Sequence, residues 1–357
     1  MLRLPRTPAH VMATIAAWWE GITLCPVAPA DPCSQAELLD IFDARLIIDT
    51  HESSHALRPT ASGAAPAATT SARNAGSPTA GIALILSTSG TLSVPKRVAL
   101  SHGNVLHQLT THCDALGITS ADHVLSVLPW HHAFGLLVDL WPSLLSGATV
   151  EVDDEDGRSP ASMVHAITSR GVTRISMVPL QASGVASFDR GEAALGSLAG
   201  GVVGGAPISH QLAETLCNTH LQVGYGQTET SPGITLGRPG VFCEGILGTP
   251  VGCTPRIVNG ELHVRGPNVC AGFWAHGRIE RLHDSRWHAT GDLVERVDGS
   301  LRFVGRRDHR FKLPNGRMVD APRIEHQLRA VLPDSQVVLL PAEDGGITIV
   351  ALCAEST

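Results

Sequence analysis

Of the 26 basic side chains in this sequence only two are lysine, Lys96 and Lys312; the rest are arginine. Lys96 closes a hydroxyl-rich run that holds Ser87, Thr88, Ser89, Gly90, Thr91 and Ser93. Hydroxyls and free backbone N–H groups at the end of a strand make an anion cradle. A lysine adds a mobile point charge able to follow a polyphosphate as it leaves, whereas arginine is a rigid planar fork. The spacing is not that of a Walker loop, because Pro95 precedes the lysine and Arg97 follows it. Taken alone, the stretch reads equally well as a surface loop rich in Ser and Thr.

A second group lies at 223–233, VGYGQTETSPG. Tyr225, the only tyrosine of the chain, stands between glycines and offers a flat face to an aromatic ring, while Gly226 lets backbone come close to a ligand. Thr228 and Glu229 supply a hydroxyl and a carboxylate suited to phosphate oxygen and Mg²⁺. The plainer alternative is a glycine-rich turn with a satisfied glutamate. Further on, Asp292 in TGDL can accept hydrogen bonds from both hydroxyls of a ribose, and Arg306 opens the charged segment GRRDHRFK. HESSH at 51–55 matches a zinc-protease pattern, but it follows a strand and runs into Pro59 instead of lying on a helix, so a zinc site is the weaker reading.

These groups must be held by a chain of 357 residues, beyond the usual size of one core, so a large domain with a smaller one is expected. A helix over Val11–Trp19 entered from Pro8, a strand Ile22–Val27, an amphipathic run Gln35–Phe42 and a strand Leu46–Ile48 give an α/β rhythm. Residues 56–81 are small, polar and proline-containing, and are expected to form a flexible loop. The buried pattern Ile82–Leu86 is read as a parallel strand delivering the hydroxyl run. Alternation continues to about residue 240, then short strands such as Glu261–Val264 and Leu301–Val304 follow. The charged segment sets the boundary: residues 1–304 form the first domain and 305–357 the second. A net charge of −7 without a basic stripe argues against nucleic acid. Eight scattered cysteines without a CxxC pair fit reduced thiols and a cytoplasmic protein. The N-terminal apolar run reads as a buried helix, not a signal peptide, and the best membrane candidate, Phe134–Val150, is broken by Asp139 and Pro142.

Taken in order, TSGTLSVPKR, LPWHHAFGL, GGAP, YGQTE, GELHVRGPNVCAGFW, TGDL, GRRDHRFK and NGRMVDAPRIE resemble the motifs of the ANL superfamily, the adenylate-forming acyl- and aryl-CoA synthetases, luciferases and nonribosomal adenylation domains. The resemblance spans residues 9–357 and implies an α/β fold, with a large N-terminal domain of mixed sheets and flanking helices and a small, incomplete α+β C-terminal domain. It implies ATP and Mg²⁺ as cofactors. Thr88, Ser89, Gly90, Thr91 and Lys96 would hold the β- and γ-phosphates. Gly205, Ala206 and Pro207 would line the adenine pocket, with Tyr225 stacking on the base beside Gly226. Thr228 would contact the α-phosphate and Glu229 would bind Mg²⁺. Asp292 and Arg306 would bind ribose, Asp308 would be the hinge, Arg317 would reach phosphate, and Lys312 would serve the second half-reaction. The acid would lie near His131, His132, Phe134, Gly204 and Thr230, with His132 also placed to gate the thiol.

The implied reaction makes an acyl-adenylate and transfers the acyl group to CoA or to the phosphopantetheine of a holo-acyl carrier protein. No aspartate lies between Leu128 and Leu136 to hold a substrate ammonium, so an acid without an α-amine is expected. An aryl acid such as a hydroxybenzoate is preferred to a fatty acid, with His131, His132 and the indole of Trp130 available to a ring hydroxyl. Ser93 and Arg97 stand where relatives carry glycines, and no counterpart of the family's late lysine follows Lys312. Two other readings therefore stay open: a protein of this fold that binds nucleotide or acyl ligand without chemistry, and a fatty acid-CoA ligase.

Overall fold

The computed structural model describes residues 1–30, 46–49, 58–59, 79–88, 96–153, 155–243, 245–282, 287–307, 310–313, 318–331, 335–342 and 346–353. The readings made at Gln35–Phe42, HESSH, Ser89–Pro95, Asp308 and Arg317, and over most of 56–81, fall outside those residues.

The chain opens with β1 (Leu2–Arg3) and α1 (Pro8–Trp19). Proline in the first turn, where no intrahelical N–H is needed, starts α1, and His10, Thr14 and Ala17 form its buried side. The apolar run from Ile22 builds no ladder of its own; it touches its neighbours by isolated bridges, Leu2 to Pro26 and Leu24 to Leu84. β2 (Leu46–Asp49) and β3 (Arg58–Pro59) complete a three-stranded sheet with β1.

β4 (Ile82–Ser87) has five buried residues and an exposed Ser87 at its end. Its partner β5 (Arg97–Ser101) is antiparallel, with Ile85 opposite Ala99 and Ser87 opposite Arg97. The hydroxyl-rich stretch thus joins the two strands of a hairpin, which corrects the expectation of a parallel strand. The connection is too short for the crossover that a parallel partner requires. β5 leads directly into α2 (His102–Leu116). Ser101 Oγ accepts the Asn104 N–H at 3.0 Å while Asn104 Oδ1 accepts the Ser101 N–H at 2.8 Å, a reciprocal cap that fixes where strand becomes helix.

β6 (His123–Ser126), β7 (Thr149–Val152) and β8 (Arg174–Ile175) make a parallel sheet in the order β7-β6-β8. A π-helix, Gly135–Leu140, and α3 (Trp141–Leu145) connect β6 to β7. Then follow α4 (Pro160–Ser169), α5 (Pro179–Ala186) and α6 (Gly191–Ser197). Bridges from Arg174 to Gly200 and from Met177 to Val203 carry the sheet into β9 (Val202–Gly204), which α7 (His210–Leu216) links to its parallel partner β10 (Gln222–Gly226). Leu125, Met163, Ile175, Val203, Leu216 and Leu221 are among the side chains that close this core.

From β10 onward the ladder turns antiparallel. β11 (Gly233–Leu236), β12 (Ile246–Pro250), β13 (Thr254–Val258) and β14 (Glu261–Arg265) are followed by β15 (Gly272–Ala275), β16 (Arg278–Arg281), β17 (His288–Val297) and β18 (Ser300–Arg306). Eight strands run in the order β13-β14-β17-β18-β12-β11-β10-β9, while β15 and β16 return to the hairpin in the order β16-β15-β5-β4. The hydroxyl-rich hairpin is thereby stitched to the later half of the chain. Beyond β18 come β19 (Arg310–Lys312), β20 (Met318–Asp320), α8 (Ala321–Val331), β21 (Ser335–Pro341) and β22 (Ile347–Cys353), with Ala321, Val337 and Leu339 forming a small core. The architecture is the mixed-sheet α/β arrangement that the sequence implied. Among the described residues no helix is long and apolar enough to cross a membrane.

Candidate active site

Asp292 is the centre of the polar network. The β17/β18 register sets it opposite Arg306, and its Oδ1 accepts from Arg306 Nη1 at 2.9 Å. Its Oδ2 accepts from the Tyr225 hydroxyl at 2.5 Å and from Gln227 Nε2 at 2.9 Å. The carboxyl is buried, and burial pushes its pKa up; the hydrogen bond from Tyr225 and the Arg306 charge act against that rise. Burial and the neighbouring carboxylate hold the Tyr225 phenol well above its ordinary value. The tyrosine ring packs on the cluster that contains Ile234, Leu262 and Val294. Asp292 thus bonds both Tyr225 and Arg306, residues drawn from separate motifs.

The residues expected to meet phosphate lie beside this network. Thr228 and Glu229 sit on a 3₁₀ turn, Thr228–Thr230, whose Glu229 carbonyl accepts the Cys270 N–H at 2.8 Å. Thr230 is fully buried and its hydroxyl donates to Gln227 O and Pro232 O, so it closes the turn instead of facing an acid as expected. Gly226 is sterically required: a Cβ there would stand 1.6 Å from Pro232 O, where the β10/β11 ladder shifts register. At the foot of the hairpin, Thr88 N–H donates to Lys96 O at 2.9 Å, and the Lys96 side chain is exposed. Both Lys96 and Glu229 act on the imidazole of His288. Burial is the largest influence and lowers its basicity; Glu229 raises it and Lys96 lowers it further. Ser89, Gly90, Thr91 and Arg317 lie outside the described residues, and Lys312 is placed only by its backbone, opposite Met318.

On the side assigned to the acid, Gly204 lies so close under β10 that a Cβ would meet Gly224 O at 2.4 Å. Gly205 follows with φ +86°, a left-handed conformation suited to glycine, and delivers exposed Ala206 and Pro207. Phe134, at the mouth of the π-helix, comes within 3.9 Å of the place a Gly205 Cβ would occupy. The rings of His131 and His132 are 4.3 Å apart, with His132 exposed. Trp130 differs from expectation: it is buried and its indole N–H donates to Ser126 Oγ at 3.0 Å, which leaves it no bond for a ring hydroxyl.

Residues 1–274 match the family described as AMP-binding enzyme. The chain belongs to that family. Its motif order and fold set this AMP-binding enzyme family member in the ANL superfamily that the sequence resembles. A feruloyl-CoA synthase from an Amycolatopsis species is 31% identical to it over 241 residues, covering 62% of this chain and 48% of that protein. The chain therefore spans about half the length of the curated relatives it matches. Wild-type E. coli MenE, with an m-phenylether-linked analogue of OSB-AMS bound, aligns with a TM-score of 0.75 at 26% identity, over 100% of this chain and 79% of that one. The O-succinylbenzoate coenzyme A synthetase (MenE) of Bacillus subtilis, in complex with ATP and magnesium ion, gives a TM-score of 0.63 at 28% identity, over 75% and 59%.

Several site residues of this AMP-binding enzyme family member escape sequence reading. Gln227 lies inside YGQTE without a role assigned to it, yet its amide bonds Asp292. His288 lies two residues before TGDL, outside the motif. On α2, Asn104, Gln108 and His112 recur every four residues, a helical period of buried polar groups that a search for metal spacing passes over. Gln108 Oε1 takes the Gly233 N–H at 3.3 Å and Asn104 Nδ2 donates to Pro267 O and Val269 O, so this stripe holds the walls beside the site.

Proposed function

We propose that the chain activates a carboxylic acid with ATP and passes the acyl group to the thiol of a phosphopantetheine, on CoA or on a carrier protein. A carboxylate oxygen attacks the α-phosphorus, the bond to the β-phosphate breaks, and pyrophosphate leaves with its electron pair. A thiolate sulfur then attacks the acyl carbon and AMP departs, the thiol proton having passed to solvent. The observation that carries this reading is convergence: Asp292, Tyr225 and Arg306 form one bonded group, and the charges of Lys96 and Glu229 meet at His288 alongside it.

In this reading Asp292 accepts the ribose hydroxyls, Tyr225 gives the base a flat face, and Lys96 follows the outer phosphates. Thr228 offers its hydroxyl to the α-phosphate. Glu229 fits Mg²⁺, since that ion is commonly held by one or two carboxylates together with substrate phosphates and water, and Glu229 carries no ion pair among the described residues. Bound there, Mg²⁺ supplies positive charge to the phosphate oxygens.

An aryl acid is the favoured substrate. The feruloyl-CoA synthase and the Bacillus subtilis O-succinylbenzoate coenzyme A synthetase carry aromatic acids and CoA in their names, and Leu128–Leu136 holds no aspartate for an ammonium. Mass spectrometry for acyl-AMP and acyl thioester, run over benzoates, cinnamates, fatty acids and amino acids with CoA or holo-carrier, tests the whole reading. Acyl-AMP from aryl acids is expected. A preference for amino acids would remove the aryl reading, and ATP binding without any acyl-AMP would leave a nucleotide-binding protein.

A further inference from the structure

We propose that His288 is a positioning residue for nucleotide recognition: through Gln227 it fixes the orientation in which Asp292 meets the ribose 2′- and 3′-hydroxyls. The inference rests on the reading of Asp292 as the ribose carboxylate.

Gln227 bridges three positions of β17. Its Nε2 donates to Asp292 Oδ2 at 2.9 Å and to Thr290 O at 2.8 Å, and its Oε1 lies 3.2 Å from His288 Nε2. A primary amide has one accepting end and one donating end. Turned over, this amide would set its oxygen against a carboxylate and a carbonyl, with no donor among the three. His288 is what makes the bonded orientation complete, because its ring N–H satisfies the amide oxygen. With the amide oxygen facing the ring at 3.2 Å, the Gln227 contact requires a proton on His288 Nε2. No other side chain described here bonds Gln227 Oε1, so His288 is the group that ties down the oxygen end of an amide whose facing Asp292 and Thr290 O set.

Asp292 then has a fixed set of occupied lone pairs: Tyr225 and Gln227 on Oδ2, Arg306 on Oδ1. A carboxylate turns easily about its last torsion, and each such bond restricts that turning. Removing the Gln227 bond leaves only Tyr225 and Arg306 on the carboxylate, which loosens its torsion and weakens its alignment with a pair of vicinal hydroxyls. The consequence belongs to ribose selectivity, not to folding or to acid binding.

His288→Phe keeps the ring and removes the donor, while His288→Gln retains an N–H. The experiment compares kcat/KM in ATP–pyrophosphate exchange for ATP, 2′-deoxyATP and 3′-deoxyATP in the full chain, with near-UV circular dichroism confirming the native fold. The wild type should prefer ATP. His288→Phe and Gln227→Leu should each lose roughly three- to tenfold of that preference, the span of one hydrogen bond. The double variant should lose little more than either, His288→Gln should recover part, and the KM for the acid should stay unchanged. A folded His288→Phe protein with the wild-type ratio overturns the role of His288 alone. A wild type that responds to no nucleotide removes the ribose reading of Asp292, and this inference with it.

Discussion

Lys96 and Asp139 illustrate two opposite placements of a single ionisable side chain. The Lys96 side chain is exposed beside the hairpin. Lys96→Ala should slow pyrophosphate exchange by about a hundredfold or more, the usual effect of removing one group that stabilises transition-state charge. Lys96→Arg should restore nucleotide binding more fully than rate, since the guanidinium keeps the charge but not the compact, rotating head; ATP titration and exchange kinetics read the two separately. Asp139 is buried in the π-helix, where burial pushes its pKa up to about 6 against the hydrogen bonds of Ser126 and Ser176 and the charge of Arg6. A raised folded-state value means that the stability its proton confers is complete below the unfolded pKa and is lost as pH rises through 6. At neutral pH the fold thus carries a buried charge. Asp139→Asn should stabilise the protein at pH 7.5 by roughly 2–3 kcal/mol, with the gain fading as pH falls toward 4, as measured by urea unfolding.

At the scale of strands and turns, the close approach of β10 to the Ser231–Gly233 segment has a simple test. Gly226→Ala places a methyl 1.6 Å from Pro232 O and should cost about 3 kcal/mol or more, lowering the unfolding midpoint and the response to ATP together. Gly103→Ala, in α2 with only Ser101 Oγ at 3.6 Å, is the control and should be neutral or slightly stabilising. The strand β4 and the start of α1 were legible from their apolar runs and from Pro8. The direction of β4 was not, because a strand covered on both faces has the same continuous apolar pattern whichever way its partner runs. The Tyr225, Asp292 and Arg306 motifs were readable one by one, but their bonding depends on a ladder register that motif spacing leaves open. Gln227 and His288 are 61 residues apart and meet only through the fold. Thr230 and Trp130 were misread for the same reason: each looked available as a residue type, and each spends its hydrogen bond inside the protein.

Across the whole molecule, the order β16-β15-β5-β4 ties the first half of the chain to the second beside the residues proposed to hold nucleotide. ATP at a hundred times its Kd should therefore add about 2.7 kcal/mol to global stability, seen as one cooperative upward shift in Tm and not as a change confined to one transition. A second long-range tie runs through buried Glu261, whose Oε1 accepts the Gly291 N–H at 3.0 Å and whose Oε2 pairs with Arg307 Nη1 at 2.6 Å. Glu261→Gln keeps an acceptor for Gly291 and gives up the ion pair. ATP binding should hold within about twofold, while trypsin cuts after Arg307 faster than in the wild type. The near-absence of lysine has a practical outcome as well. An amine-acylating reagent finds only two side chains to modify, one of them lying open at the hairpin foot. Protection of Lys96 by added ATP can then be followed by peptide mapping as a footprint at one position, with no engineered label and no need to know which acid the protein takes.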